Sequence, residues 1–147
     1  MELSISEVSK LTGLSISKLG YYDEHGLIPN IKRTELELRK FNAENIESLN
    51  VIECLKNSGM QLKEIKKFIN WCKQDDESID KRLNMFKEQE KNVLEQIERL
   101  NKSLDFIHFK QWYYSTAQKH HSIEFVNNMN LENMLSEIQD LYKKIFA

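Results

Sequence analysis

Proline and glycine are scarce in this sequence, which holds one proline, Pro29, and four glycines in 147 residues. Because tight turns and hairpins draw on both residue types, these low counts favour a mainly helical chain. No apolar run approaches the roughly 18 residues that a membrane-spanning helix needs, so no membrane is expected as a partner. The N-terminus lacks a secretory signal region, and two cysteines are too few for a disulfide framework. We therefore expect a cytoplasmic protein.

Basic charge is not in excess either. The chain carries 21 Lys and Arg against 23 Asp and Glu, a net charge of −2. Residues 1–74 hold 11 basic and 10 acidic side chains, and residues 75–147 hold 10 and 13. Nucleic-acid binding therefore cannot rest on bulk charge and requires basic side chains gathered on one surface.

Motifs of an enzyme or a metal site are missing as well. There is no glycine-rich phosphate loop, paired-carboxylate motif or nucleophile–base arrangement, so we expect neither catalysis nor a cofactor. His108, His120 and His121 are candidate metal ligands, but adjacent histidines cannot both face one ion from a regular helix. We expect solvated imidazoles in a loop instead, and no metal.

Two short helices are predicted at the N-terminus. Ser4 and Glu7 have the spacing of a capping box, Gly13 ends the first helix, and Ser15 is the predicted N-cap of the second. Two helices joined by a short turn that contains glycine form a helix-turn-helix. Gly20 lies in the middle of the second helix, where glycine costs about 1 kcal/mol relative to alanine. The pattern therefore raises the question of what this glycine replaces.

Residues 30–42 lack helical periodicity and predict a wing of short extended segments. Helical periodicity returns at Ile46 and runs to Gly59, a predicted C-cap. A further helix starts near Gln61 and ends near Cys72. Residues 1–74 are therefore predicted to form a winged helix-turn-helix DNA-binding domain.

Residues 78–114 carry the strongest periodic signal in the chain, with apolar residues at alternating spacings of three and four. Glu90 and Gln111 are the polar exceptions. The seam consists of Leu83, Phe86, Glu90, Val93, Ile97, Leu100, Leu104, Ile107, Gln111 and Tyr114. So regular a seam favours a two-chain coiled coil, and the alternative is a helix packed on its own domain.

Residues 115–147 are predicted to form a polar loop and then an amphipathic helix from Leu131 to Ala147. We expect this helix to pack on the long helix or on a partner chain. Its predicted apolar face is Leu131, Met134, Leu135, Ile138, Leu141, Tyr142 and Ile145. The predicted fold class is therefore mainly all-α, with a winged helix-turn-helix, a long dimerising helix and a C-terminal amphipathic helix.

Several short strings match the pattern of a known family. They are Ile5–Ser15, Tyr21–Pro29, the wing residues Arg33, Arg39 and Phe41, and Asn57–Ile65. With them the sequence resembles the MerR family of transcription regulators over roughly residues 3–114. The resemblance implies a homodimer with an antiparallel coiled coil that bends and untwists promoter DNA in response to an effector, whose identity the sequence does not reveal. It implies double-stranded promoter DNA as the direct partner and RNA polymerase as an indirect one.

The resemblance also implies which residues contact DNA. They are Ser15, Ser17, Lys18, Tyr21, Arg33, Arg39 and Lys40. In the family an arginine usually precedes the two tyrosines, so Gly20 replaces a DNA contact, while Ser17 and Lys18 are expected to remain on the exposed face. The usual Gly-Tyr before the second wing arginine reads Glu37-Leu38 here. We therefore predict either an unusual operator or weak DNA binding.

The two cysteines allow different interpretations. Cys54 is either a buried small hydrophobe or a thiol sensor, because an aldehyde-responsive branch of the family looks similar over residues 51–56. The neighbouring Glu53 would raise the pKa of the thiol, and reactivity requires a thiolate. Metal-sensing relatives place a ligand near Cys72, but they also carry a cysteine pair after the coil, and this sequence has no cysteine beyond residue 72.

Two further alternatives remain at this point. The chain could be a protein–protein interaction module whose DNA-reading head has degenerated, an interpretation that Gly20 and the near-neutral charge support. Trp112, Tyr113 and Tyr114 could line a ligand pocket, although aromatic residues at the end of a coil are more typical of packing against a partner's helices.

Overall fold

The computed structural model describes residues 1–146, so Ala147, the last residue of the predicted C-terminal helix, lies outside the described range. The chain is mainly helical, as predicted. In chain order the elements are β1 (Leu3–Ser4), α1 (Ile5–Thr12), α2 (Ile16–Glu24), β2 (Lys32–Arg33), β3 (Arg39–Phe41), α3 (Ala43–Asn57), α4 (Leu62–Cys72), α5 (Ile79–His120), α6 (Ile123–Asn127) and α7 (Ser136–Phe146). Short 3₁₀ turns span Asp75–Ser78 and Leu131–Asn133. No helix in residues 1–146 is long and apolar enough to cross a membrane.

The helix-turn-helix forms through the local signals that predict it. The Ser4 hydroxyl accepts the Glu7 N–H at 3.3 Å, and the Glu7 carboxylate accepts the Ser4 N–H at 2.7 Å. Gly13 adopts a left-handed φ of 76° that turns the chain out of α1. Ser15 then caps α2 by accepting the Lys18 N–H at 3.1 Å. Both predicted caps are confirmed.

The wing is a small antiparallel sheet in the order β1-β3-β2. Arg33 lies opposite Arg39 in this sheet, which also includes a strand, β1, that the sequence analysis missed. The turn between β2 and β3 closes with a hydrogen bond of 2.9 Å from the Thr34 N–H to the Leu38 carbonyl. Glu37 adopts a φ of 60° in this turn, a conformation that glycine adopts without strain.

The first of two compact units, Met1–Val93, has its own apolar core. The core residues come from α1 to α4, the loop after α2 and the wing, and they are Val8, Leu19, Tyr22, Leu27, Ile28, Phe41, Leu49, Ile52, Leu55, Ile65, Phe68 and Ile69. The start of α5 packs on this unit. Gln89 donates to the carbonyl of Ser58 at 3.0 Å and to its hydroxyl at 2.8 Å, and the Phe86 ring lies edge-on to Phe68 at 5.4 Å.

The second unit begins at Leu94. The buried Phe109 ring of α5 lies 5.8 Å from Tyr142 and 5.6 Å from Phe146 of α7. Lys144 pairs with Asp105 at 2.8 Å. The prediction that the C-terminal helix packs on the long helix is therefore confirmed.

The C-terminal helix bounds differ from the predicted ones. Residues 115–120 continue α5, which ends where His121 adopts a φ of 49°. Ser122 then caps the short helix α6 by accepting the Phe125 N–H at 3.1 Å, so the polar segment is not a continuous loop. The last helix begins at Ser136 rather than Leu131. Leu135 precedes this helix and is 69% exposed, so the prediction that it lies on the apolar face of the helix was wrong.

Candidate nucleic-acid interface

The second helix of the helix-turn-helix has one buried and one exposed face. Leu19 and Tyr22 are buried. Ser17, Gly20 and Tyr21 lie on the other side at helical spacing, with Ser17 exposed and Tyr21 43% exposed. In helix-turn-helix proteins the second helix enters the major groove of DNA. The exposed face of α2 is therefore the candidate base-reading surface.

Two arginines of the wing pair with one carboxylate of this helix. Asp23 Oδ2 accepts from Arg39 Nε at 2.6 Å and from Arg33 Nη2 at 3.0 Å. The exposed carboxylate of Glu24 lies 3.8 Å from Arg39 Nη2. Charge-assisted bonds of this kind are stronger than neutral ones, so Asp23 holds both cations beside α2.

The guanidinium of Arg39 covers Gly20. A Cβ at Gly20 would lie 3.7 Å from Nη1, 3.9 Å from Nη2 and 4.0 Å from Cζ of Arg39. A longer side chain at residue 20 would therefore compete with Arg39 for this space. This answers the question raised by the helical glycine, because its missing side chain leaves room for an arginine from the wing.

Lys18 does not lie free on the exposed face as expected. It is half-buried and pairs with Glu53 of α3 at 3.2 Å. The same carboxylate accepts the Tyr22 hydroxyl at 2.6 Å, and Lys56 donates to that hydroxyl at 3.3 Å. Tyr22 is 1% exposed and packs in the core. Lys18, Tyr22, Glu53 and Lys56 form what we call the α2–α3 cluster.

The α2–α3 cluster perturbs three protonation equilibria, because burial and the neighbouring Lys18 also lower the pKa of Lys56. Burial alone would raise the pKa of Glu53, but hydrogen bonds from Tyr22 and Lys18, together with the Lys18 and Lys56 charges, outweigh it and lower that pKa below its ordinary value. Burial and the neighbouring Glu53 carboxylate raise the pKa of the Tyr22 hydroxyl. Glu53 is therefore a stable anion that fixes α2 against α3.

The other candidate DNA contacts lie around α2 and the wing. Ser15 is exposed, although its hydroxyl already caps α2. The Tyr21 ring packs on His25 at a centroid distance of 4.0 Å. Arg33 is exposed, and Lys40 is half-buried opposite Ser4 and Lys32 in the sheet. The sequence analysis missed the roles of two acids, Asp23, which holds Arg33 and Arg39, and Glu53, which holds Lys18, because these partners are remote in sequence.

Cys54 lies exposed on the surface of α3, so its interpretation as a buried hydrophobe was wrong. Cys72 is half-buried and packs against the core. His120 is exposed, as expected, but it ends α5 rather than lying in a loop, and its ring stacks on Phe125 at 3.8 Å. Within residues 1–146 no group of three or more His, Cys, Asp and Glu side chains could hold a metal ion.

The heptad seam of α5 is uncovered in the single chain. Leu100 is 68% exposed. Leu83, Phe86, Ile97, Leu104 and Ile107 are also exposed, and Val93 is half-buried. Near the end of α5 the Trp112 ring lies 5.8 Å from Phe109, and Tyr113 donates its hydroxyl to Asn127. These two aromatic residues therefore pack within their own unit.

Comparisons with known proteins agree with this architecture. Residues 3–70 match the family described as MerR HTH family regulatory protein. An uncharacterised HTH-type transcriptional regulator of Haemophilus influenzae is 36% identical over 86% of this chain and 94% of its own. The HTH-type transcriptional regulator AdhR of Bacillus subtilis is 27% identical over 63% of this chain and 66% of its own.

A solved structure gives a similar result. HiNmlR, described as a MerR family regulator lacking the sensor domain and bound to promoter DNA, is 35% identical to this chain. The match covers 88% of this chain and 98% of HiNmlR, with a TM-score of 0.82.

Proposed function

Because this chain belongs to the MerR family of helix-turn-helix regulatory proteins, we propose that it binds double-stranded promoter DNA as a homodimer and regulates transcription from it. By bending and untwisting the promoter it acts on RNA polymerase indirectly, since DNA deformation changes how the promoter elements are presented. We propose the cytoplasm as the place of this action, and regulation rather than catalysis as its function.

The observation that carries the proposal is the exposed face of α2 beside a wing that holds two arginines against it. Ser15 and Ser17 at the start of the helix can donate to phosphates or bases, as can the Tyr21 hydroxyl. Arg33 and Lys40 supply phosphate contacts from the wing. We expect a smaller contribution from Lys18, which must give up part of its pairing with Glu53 to reach DNA.

The dimer forms through the seam of α5. The apolar seam of one chain packs against the seam of a second copy that runs antiparallel to it. The seam residues are Leu83, Phe86, Val93, Ile97, Leu100, Leu104 and Ile107. The exposure of this seam in one chain supports the proposal, because monomeric proteins rarely leave so long an apolar stripe uncovered. An association that covers it also brings two helix-turn-helix units onto one DNA.

Cys54 is the proposed sensor, and a thiol-reactive electrophile such as an aldehyde is the proposed class of effector. Its exposure gives a reagent access, and the similarity to AdhR supports the assignment to the thiol-responsive branch. The neighbouring Glu53 accepts the Tyr22 hydroxyl of α2. The backbone carbonyl of Cys54 itself accepts the Ser58 N–H at 3.0 Å. A modification of Cys54 therefore acts on a segment of α3 that contacts both the recognition helix and, through Ser58 and Gln89, the start of α5.

The proposal is tested by selecting binding sites from a random pool of DNA duplexes, which requires no known operator. We expect enrichment of a two-fold symmetric motif, and binding to that motif should weaken steeply with salt because phosphate contacts release counterions. Arg33→Gln should weaken binding. The control Lys119→Gln, which removes an exposed charge near the end of α5, should leave binding unchanged. A dimeric protein that enriches no sequence would overturn the proposal and favour the protein–protein module.

A further inference from the structure

We propose that Arg39 reads a guanine edge in the major groove from the position that a side chain at residue 20 would otherwise occupy. This inference rests on the proposed DNA-binding function and goes beyond it, because it makes a wing residue part of the base-reading surface of α2. Arg39 is then a specificity-determining residue rather than one more phosphate contact, and Gly20 is the residue that admits it.

The first support is position. Gly20 lies on the exposed face of α2 with Ser17 and Tyr21. The terminal nitrogens of Arg39 lie 3.7 Å and 3.9 Å from where a Gly20 Cβ would be, so the guanidinium occupies the space of that missing side chain. Any DNA that contacts this face of the helix therefore meets the Arg39 guanidinium at residue 20.

The second support is orientation. Asp23 accepts the Nε–H of Arg39 at 2.6 Å, which fixes one edge of the planar guanidinium. Nη1 donates no hydrogen bond to any residue in the described range, and Nη2 has only a loose approach of 3.8 Å to the exposed Glu24 carboxylate. The pair of terminal nitrogens is the fork that recognises O6 and N7 of guanine. Because Arg39 is already ordered, with its side chain 21% exposed, it loses little conformational freedom on binding.

Arg33 provides a matched contrast. It also pairs with Asp23, at 3.0 Å, but its side chain is 40% exposed. Its Nη1 donates to the carbonyl of Glu37 in the wing turn at 3.2 Å, and no atom of Arg33 lies among the three nearest to the Gly20 position. Arg33 therefore has the same charge and the same carboxylate partner as Arg39, but its guanidinium does not lie over Gly20.

The test compares the sequence preferences of the wild type, Arg39→Gln, Gly20→Met and Arg33→Gln, all as full chains, by selection from random duplexes. In the wild type we expect a strongly preferred guanine in each half-site. Arg39→Gln should lower the preference for that guanine about tenfold or more. Gly20→Met should do the same by displacing Arg39 without altering its charge. Arg33→Gln should weaken all sequences equally and reduce the salt slope by about 1.

The outcomes separate this inference from the proposed function. If the wild type enriches a motif but Arg39→Gln keeps every base preference and loses affinity uniformly, Arg39 is a phosphate contact and the inference is wrong. If the wild type enriches nothing, the proposed function has failed as well. Arg39→Gln leaves Asp23 paired with Arg33, and Gly20→Met leaves the wing sequence intact, so thermal melting should show both variants folded.

Discussion

The hydroxyl of Tyr22 donates a hydrogen bond of 2.6 Å to Oε1 of Glu53, joining the buried side of α2 to α3. Lys18 pairs with the same carboxylate at 3.2 Å. A tyrosine that is 1% exposed therefore ends at a charged group rather than at water. The orientation of α2, the candidate base-reading helix, depends on this polar link as well as on the apolar core beneath it.

Replacing Tyr22 with phenylalanine should destabilise the protein by about 1–2 kcal/mol, because the hydroxyl bonded to a carboxylate is lost while the ring still fills the core. Urea denaturation of the full chain measures the effect. Tyr21→Phe is the control, since the Tyr21 side chain is exposed and should change stability by less than about 0.5 kcal/mol. Equal stability of both variants would mean that Lys18 alone holds Glu53.

The same carboxylate predicts how stability changes with pH. The pKa of Glu53 is lower in the folded chain than the ordinary value of 4.5, so the unfolded state binds its proton more readily. Its stabilising contribution is therefore present above about pH 4.5 and is lost as pH falls through the folded-state pKa. Glu53→Gln should flatten the acid side of the stability profile, whereas Glu88→Gln, an exposed residue on α5, should not. A wild-type slope in Glu53→Gln would contradict this assignment.

The two cysteines should differ in reactivity. Cys54 is exposed and Cys72 is half-buried against the core, so mass spectrometry after brief alkylation should show Cys54 modified first. If Cys54 is the sensor, Cys54→Ser should bind promoter DNA but lose its response to an electrophile, while Cys72→Ser keeps that response. Alkylation of Cys72 ahead of Cys54 would contradict the exposure argument, and an unchanged response in Cys54→Ser would exclude the sensor role.

Local sequence signals predicted the helix-turn-helix well. The caps at Ser4 and Ser15 and the turn at Gly13 involve residues a few positions apart, so the sequence pattern contains the whole interaction. Strand β1 was missed because two residues show no periodicity, and its pairing with β3 crosses nearly 40 positions of the chain.

The candidate site was less predictable because its contacts are long-range. Asp23 meets Arg39, and Lys18 meets Glu53, through folding that no short string records. Sequence reasoning therefore identified Gly20 as unusual but could not show that an arginine covers it. It also left two interpretations of Cys54 open, and the packing of α3 excludes the buried one because it leaves Cys54 exposed.

The seam of α5 should control the oligomeric state. Leu100→Glu places a charge on the most exposed of the apolar seam residues. We expect the dissociation constant of the dimer to rise at least about a hundredfold, because the dimer interface loses a leucine from each chain. Analytical ultracentrifugation measures this. Glu95→Lys changes an exposed position midway between seam residues and should leave the dimer intact. A dimeric Leu100→Glu protein would show that association uses another surface.

The wing turn holds a measurable strain at Glu37. Its φ of 60° is costly for a residue with a side chain, by about 1–2 kcal/mol. Glycine removes that cost, but its greater conformational entropy in the unfolded chain offsets part of the gain. Glu37→Gly should therefore stabilise the protein by up to about 1 kcal/mol. Glu35→Gly is the matched control, because Glu35 has no positive φ and glycine there should destabilise slightly. Denaturant unfolding of both variants gives the comparison, and destabilisation by Glu37→Gly would mean that side-chain contacts at residue 37 outweigh the backbone strain.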